Sequence, residues 1–234
     1  MLRLMKLEWK KHKLSNYFKS VAICIIAIFA AVSLMGLGAK DEVDAALTDF
    51  TKYMTLANIF IRMTFLIFSS IILSRLVIDE YKNKTIQLLF MYPLQRKMLM
   101  RAKLAIVFGF CFVSTVIATV IINLLIFFFN PIMGLLETPV TIGQIIATIP
   151  ATFISAVMIS GISLIPLFFG MRKKSTPTTI TSAVIIAMII NGNVGAGNGQ
   201  VNMYDFIVIP IVLCLLGIFI SYLSYRKIDK IDVA

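Results

Sequence analysis

Long apolar segments alternate with short polar ones along the whole chain. Six of the apolar segments approach or exceed the roughly 20 residues that a helix needs to cross a bilayer. They lie at about 20–38, 55–78, 104–129, 143–169, 177–195 and 206–225. This pattern predicts an all-α integral membrane protein with six transmembrane helices, which form a single membrane domain over residues 1–234.

The first and fifth apolar segments differ from the others. The first covers about nineteen residues, more than the 7–15 apolar residues of a signal peptide, so we expect an uncleaved first span. The fifth is strongly apolar only over 180–190, before Asn191 and a glycine-rich stretch. It is expected to be a broken helix or part of a re-entrant element, both of which are tolerated only where protein or water surrounds them.

The composition supports the membrane class. The chain is 59% hydrophobic and 14% charged, whereas a soluble domain averages about 45–50% apolar and about 25% charged residues. The net charge of +11 would suggest a nucleic-acid partner in a soluble protein. Here the basic residues cluster at the ends of spans, where each gains about 1 kcal/mol near anionic lipid headgroups. We therefore expect membrane lipid, and no nucleic acid, as the partner of these charges.

The distribution of basic residues predicts the orientation in the membrane. Of the 22 lysines and arginines, all except Lys40, Lys52 and Arg62 fall on one side of the predicted spans. An excess of lysine and arginine marks the cytoplasmic side. Both termini and the segments 79–103 and 171–179 are therefore predicted to be cytoplasmic, in a multi-pass protein of the cell membrane.

Residues 1–19 are basic and amphipathic. Their apolar positions form two stripes, which comprise Leu4, Leu7, Leu14 and Phe18 in one and Leu2, Met5 and Trp9 in the other. Two interpretations remain open. The segment is either a basic anchor for the first span or an interface (elbow) helix that rests on the membrane surface and on a cytoplasmic partner.

The residue types that enzymes and metal sites use are sparse. The single histidine is His12, outside the spans, and Cys24, Cys111 and Cys214 lie in three different spans with no paired spacing. Isolated cysteines of this kind are typical of apolar packing. Lys174-Ser175 lacks the preceding glycine of a phosphate-binding loop. We expect no catalytic residues, no metal and no cofactor in this chain.

Arg62 is the one charged residue deep in an apolar segment. A charge inside a bilayer is costly and is a functional candidate by default. Its long side chain could instead reach the outer interface, or pair with Glu137 or Asp205. Asn58 and Asn123 are polar positions in the neighbouring spans two and three. With Arg62 they could line a substrate path, or they could serve as hydrogen-bonding contacts between helices.

The longest polar interruption, residues 79–103, has an apolar centre. Acidic Asp79-Glu80 close the second span, Leu88, Leu89 and Tyr92 fall on one helical face, and Pro93 ends the turn. This order resembles the first cytoplasmic loop of permease subunits of type-two ABC exporters, with matches at Glu80, Thr85, Leu88, Leu89, Pro93 and Arg96. Lys84 and Gln95 stand where that pattern has glycine and serine. The "LEWKK" segment, the six spans and the basic C-terminal tail extend the resemblance over the whole chain.

The resemblance implies that residues 79–103 hold a coupling helix that docks on a separate ABC ATPase, through Glu80, Thr85, Leu88, Leu89, Tyr92, Pro93 and Arg96. It also implies a second permease, identical or paralogous, and ATP and Mg²⁺ bound by the ATPase. The segment 171–179 would make a smaller second contact. A solvated connector between spans is the alternative interpretation of 79–103.

The implied function is an exporter permease for an amphipathic or hydrophobic substrate, such as an antimicrobial or cytolytic peptide, a lipid-like compound or a drug. Such export would give resistance to the transported compound. Two alternatives remain from the sequence: an ATP-independent secondary transporter or channel, and a non-transporting membrane anchor or sensor. Secondary transporters usually show repeats or charged residues deep in several spans, and this sequence has neither.

Overall fold

The computed structural model describes Met5 and residues 7–9, 15–38, 50–82, 96–133, 142–195, 200–202 and 208–227. Within these ranges every element except two short strands is helical. The elements are α1 (Ser15–Gly38), α2 (Phe50–Leu73), a π-helical turn (Ser74–Ile78), α3 (Asp79–Lys82), α4 (Arg96–Met133), α5 (Ile142–Ile162), α6 (Pro166–Lys173), α7 (Thr176–Asn191), β1 (Asn193–Gly195), β2 (Gln200–Asn202) and α8 (Val208–Lys227).

The apolar helices confirm the prediction of an all-α, multi-pass membrane protein. Four stretches of the described chain are long and apolar enough to cross a membrane: Tyr17–Gly38, Phe50–Ile78, Met98–Pro131 and Ile142–Lys173. The fifth and sixth predicted segments form shorter apolar helices, Thr176–Asn191 and Val208–Ser224. Helices are the expected form because hydrocarbon offers no hydrogen-bond partner to a backbone group, and a helix satisfies these groups internally.

The interruption that the sequence suggested for the fifth segment occurs in the fourth. A turn over 163–165 separates α5 from α6, and Pro166 begins the second helix, where its missing N–H costs nothing. By contrast, α7 is one continuous helix that ends at Asn191. The Asn191 side chain donates to the carbonyl oxygen of Ala187 at 2.9 Å, so this polar residue closes the helix without breaking it. Beyond it, residues of β1 pair antiparallel with residues of β2.

Helix α2 lies at the centre of the bundle. It contacts α1, α4 and α7, and its Tyr53, Ile61 and Phe65 are almost completely buried. The hydroxyl groups of Tyr53 and Ser33 are 3.0 Å apart, which joins α2 to α1 by a buried hydrogen bond. The position of α2 matters because this helix carries Asn58 and Arg62 and leads directly into residues 79–82.

Part of the N-terminal segment packs against the bundle. Met5 and Trp9 contact the apolar core, and the ring centroids of Trp9 and Phe18 are 5.9 Å apart. Leu7, from the other predicted stripe, is 65% exposed. Met5 and Trp9, two residues of one predicted stripe, therefore face the protein. Whether residues 1–19 form an interface helix remains a prediction, because most of them lie outside the described residues.

Helices α5 and α8 approach closely through small residues. A Cβ atom added at Gly217 would overlap the carbonyl oxygen of Gly161, and one added at Gly161 would overlap the Cys214 thiol. Small residues let two helix backbones approach in this way inside a membrane. The contact holds α8 against α5, which forms one wall of the cavity described below.

Gly217→Ala should therefore destabilise the protein by about 1–3 kcal/mol, because the added methyl group forces the two backbones apart. Gly109→Ala is a matched control, since a Cβ at Gly109 has no neighbour within 4 Å. The melting temperature of each variant, purified in detergent, measures the difference. Equal melting temperatures for the two variants would contradict the close α5–α8 contact.

Candidate functional site

The residues that flank the predicted coupling helix form a polar cluster with a buried ion pair at its centre. Of the predicted coupling residues, Thr85, Leu88, Leu89, Tyr92 and Pro93 lie outside the described residues. Glu80 lies in α3 and Arg96 is the first residue of α4. The structure therefore describes the two stems of the loop, where the chain leaves α2 and where it enters α4.

An ion pair joins the two stems. The Lys103 ammonium group on α4 contacts Glu80 Oε2 and also donates to the Leu76 carbonyl oxygen at 2.9 Å. The side chains of Lys103 and Glu80 are only 3% and 9% exposed. Leu76 belongs to the π-helical turn, a feature that is frequent at functional sites. One cation thus binds a carbonyl group of the π-helical turn and a carboxylate of the loop stem.

The first loop stem is also bonded to the segment 171–179. The Thr176 hydroxyl group, at the start of α7, donates to Asp79 Oδ1 at 2.7 Å. The chain reverses from α6 to α7 at Lys174, which has a left-handed backbone with φ of 46°. A Cβ at Gly170 would overlap the Thr179 hydroxyl oxygen and would lie 2.9 Å from Ile78 Cδ1. Both predicted cytoplasmic contact segments therefore meet at the end of α2.

A third contact connects this region to α1. Arg75 donates to the Tyr17 hydroxyl oxygen at 2.7 Å, and its guanidinium carbon lies 5.7 Å from the centre of the Tyr17 ring. We call the six side chains that make these three contacts the stem cluster: Tyr17, Arg75, Asp79, Glu80, Lys103 and Thr176. The cluster ties α1, α3, α4 and α7 to the end of α2.

Sequence reasoning identified Glu80 but missed its partners. Lys103 counted there only as one of the basic residues of the cytoplasmic side, and the Asp79–Thr176 contact joins positions 97 residues apart. Such pairings depend on which helices are neighbours. One signal was available, because Lys103 borders the apolar run of the third span, where a lysine must bind a partner or extend to the interface.

The second candidate site is a polar cavity of about 280 Å³ between α2, α4 and α5. Its lining from α2 includes Thr55, Asn58 and Arg62. Arg62 is 8% exposed, and its Nε donates to the Asn58 carbonyl oxygen at 3.1 Å. It lies 12 residues after the start of α2, or about 18 Å along the helix axis. The structure thus places Arg62 in the cavity wall, well inside the membrane-spanning helix.

The predicted substrate-path residues are only partly brought together. Asn58 and Arg62 share the cavity lining. Asn123 lies one helical turn beyond Thr119, donates to the Thr119 carbonyl oxygen at 2.9 Å, and is outside the cavity lining that the described residues form. The role of all three residues in transport remains a prediction.

Threonine and serine residues from two further helices complete the polar lining. Thr115 and Thr119 come from α4, and Thr148, Thr152 and Ser155 come from α5. Sequence reasoning did not single them out. The spacing of 115 and 119, and of 148, 152 and 155, puts each set on one helical face, and this small-polar periodicity was a signal that could have been used.

The hydroxyl groups of this lining are bonded to their own helices. Thr115 and Thr119 donate to the carbonyl oxygens of Cys111 and Thr115, at 2.8 and 3.0 Å. Thr148 and Thr152 donate to those of Ile145 and Thr148, at 2.7 and 2.8 Å. A hydroxyl group has one donor proton and two acceptor lone pairs. These oxygens therefore act towards the cavity as acceptors, next to the guanidinium group, which is a donor.

Apolar helices, a stem cluster at the end of α2 and a polar cavity define a multi-pass membrane protein with one polar site at the loop stems and another between its membrane-spanning helices. A family model described as "ABC-2 family transporter protein" matches residues 4–189, and the chain belongs to this family. The chain is 31% identical over 231 residues to the uncharacterized protein YcbO of Bacillus subtilis (strain 168). The alignment covers 99% of this chain and 100% of that protein. No solved structure matches the chain with significance.

Family membership confirms the resemblance drawn from the loop at 79–103. The chain is a membrane permease of an ABC transporter, and it is the membrane subunit of that assembly, not the ATPase. Membership also implies an ABC ATPase partner and, as is usual in this family, a dimer of permeases.

The stem cluster leads to a prediction about stability. Lys103→Met removes the cation that neutralises the buried Glu80 carboxylate, and breaking a buried ion pair by removing one partner costs about 3–5 kcal/mol. The double variant Glu80→Gln/Lys103→Met should recover much of this loss, because the charge of Glu80 is removed as well. Arg101→Met, at an exposed position of the same helix, should cost no more than about 1 kcal/mol, the upper end for an exposed charged contact.

Thermal unfolding of the four purified proteins, including the unmodified chain, measures these differences. If Lys103→Met is as mild as Arg101→Met, the ion pair does not hold the loop stems. If the double variant is no better than Lys103→Met alone, the loss does not arise from an uncompensated Glu80 charge.

Proposed function

We propose that this chain is the permease of an ABC exporter that moves an amphipathic or hydrophobic substrate out of the cell, driven by a separate ATPase. The observation that carries the proposal is the continuity of α2 with both polar sites. The same helix contributes Arg62 to the cavity and runs through the π-helical turn into Asp79 and Glu80. A displacement of the loop stems therefore moves a wall of the cavity.

The coupling element in this proposal is the loop at 79–103. Its apolar residues Leu88, Leu89 and Tyr92 dock in a groove of the ATPase, with Pro93 ending the helix and Thr85 beginning it. Glu80 acts within the stem cluster, and Arg96 begins the helix that carries Lys103. ATP and Mg²⁺ are bound by the ATPase. A short helix fixed at both stems transmits a rigid-body movement better than a solvated connector does.

The orientation in this proposal places both termini and the stem cluster in the cytoplasm. The basic residues of the sequence support it, because lysine and arginine concentrate on the cytoplasmic side. The Asp79–Thr176 bond further supports a common side for the two contact segments. The cavity then lies in the outer half of the bundle, where Asn58 and Arg62 can contact a substrate before release.

The amphipathic substrate class rests on the character of the cavity and its surroundings. The lining combines Arg62 and hydroxyl oxygens with the apolar side chains Met54, Ile61 and Ile159. A molecule with one polar group and an apolar body can satisfy both parts. Among the substrates expected from the sequence, a peptide, a lipid-like compound and a drug all have this character.

The docking function of the loop can be tested directly. Leu88→Asp/Leu89→Asp should abolish co-purification of the ATPase, because two charges cannot be buried in an apolar groove without partners. Gln87→Asp/Gln95→Asp is a matched control, since it adds two charges to the same loop at polar positions. The measurement is the ATPase activity recovered with the tagged permease after detergent extraction.

The amount of permease in the membrane is measured in parallel for both variants. Normal insertion with loss of ATPase only in the leucine variant is the expected result. Unchanged co-purification and unchanged nucleotide hydrolysis in that variant would overturn the proposed docking of the loop.

A further inference from the structure

We infer that the cavity between α2, α4 and α5 binds the carboxylate end of a peptide, a group that combines an anionic acceptor with neighbouring N–H donors. This inference rests on the proposed function and names the chemical class of its substrate. It follows from three properties of the cavity: its single guanidinium group among the lining residues, its bonded hydroxyl groups, and its size and depth.

The guanidinium group of Arg62 supplies the charge. A buried arginine in hydrocarbon is costly, and it is retained here in the wall of a polar cavity at 8% exposure. The bond from its Nε to the Asn58 carbonyl oxygen restricts the orientation of the planar group. An oriented guanidinium group binds a carboxylate through two parallel hydrogen bonds, which a lysine cannot do.

The hydroxyl groups of the lining define the other half of the ligand. Thr119, Thr148 and Thr152 each donate their single proton to a backbone carbonyl oxygen of their own helix. Their oxygens are then acceptors, so a ligand bound beside them needs donors. A fatty-acid carboxylate satisfies Arg62 but offers no donor to these oxygens. A peptide end offers both, because amide N–H groups adjoin its carboxylate.

The volume of the cavity restricts the site to an end group. At about 280 Å³ it is slightly smaller than the roughly 300–1,000 Å³ of pockets that enclose drug-sized ligands. The terminal carboxylate and its adjacent amide group can enter, while the apolar body remains outside.

The depth of Arg62 favours a peptide over a resident lipid. An aminophospholipid headgroup also combines an anionic oxygen with N–H donors. However, Arg62 lies about 18 Å along a span of 29 residues, Phe50–Ile78, whose full length is about 43 Å. This position is near the middle of the span, whereas lipid headgroups lie at the membrane surface.

The test compares three probes on the full chain in nanodiscs of phosphatidylcholine, whose headgroup has no N–H donor. Radiolabelled N-acetyl-trileucine carries both features, its C-terminal amide lacks the carboxylate, and decanoate lacks the N–H donors. We expect the peptide carboxylate to bind at least about tenfold more tightly than either comparator. A tenfold difference in affinity corresponds to the free energy that one hydrogen bond to a charged group contributes. Equal binding of the amide would overturn the role of Arg62, and equal binding of decanoate would overturn the role of the hydroxyl oxygens.

Two variants locate the binding in the cavity. Arg62→Lys should reduce the preference for carboxylate over amide to less than about threefold, because the planar fork is lost. Thr152→Val, which removes one acceptor without changing side-chain size, should weaken peptide binding several-fold and leave decanoate unchanged. Thr181→Val is the matched control, since Thr181 is exposed on α7 and donates to the Thr178 carbonyl oxygen in the same way. Equal effects of Thr152→Val and Thr181→Val would overturn the assignment to this cavity.

A final arm adds phosphatidylethanolamine to the nanodiscs. Displacement of the peptide would identify the site as one for a lipid headgroup and would overturn the inference; unchanged binding supports it. None of these measurements requires the ATPase. Failure of the loop to recruit an ATPase would therefore refute the proposed function while leaving peptide binding intact, and failure of the probes to differ would refute only the inference.

Discussion

The lack of hydrogen-bond partners in hydrocarbon is the constraint on which this structure depends. A backbone N–H or C=O group in lipid must find its partner within the protein, so the apolar segments form helices. The two departures from α-helix in the membrane-spanning part obey the same rule. The Leu76 carbonyl oxygen in the π-helical turn accepts from Lys103, and in the turn after α5 the Leu164 N–H group donates to the Gly161 carbonyl oxygen at 3.1 Å. Apart from the exposed Arg75, the residues of both turns are buried in protein.

The same constraint organises the polar side chains. Threonine hydroxyl groups in α4 and α5 donate to carbonyl oxygens one turn earlier in their own helices, which removes the cost of an unpartnered donor. It also turns the hydroxyl oxygens into acceptors. The chemistry of the cavity therefore follows from the way in which the helices satisfy their own polar groups, and Arg62 adds a donor to a lining that otherwise presents oxygen atoms.

Helix α2 connects the two polar sites mechanically. It is packed through Tyr53 near its start and through Ile61 and Phe65 in its middle, so it is held as one rigid element. The stem cluster fixes one of its ends to α1, α4 and α7, and one face of the helix lines the cavity. A rigid helix between two sites is the kind of element that converts movement at one into a change of shape at the other. In the proposed function, those sites contact the ATPase and the substrate.

The sequence by itself determined the membrane class, the six apolar helices and the family, because hydrophobic length and the order of residues in one loop are local properties. It also identified Arg62, since a charge in an apolar run is visible without a structure. Only the tertiary structure decided that Lys103 is the partner of Glu80, that Thr176 bonds Asp79, and that the break lies before Pro166 and not in α7. It alone brought Arg62 together with threonines of two other helices. These features depend on which helix faces are neighbours, and periodicity within one helix does not specify its neighbours.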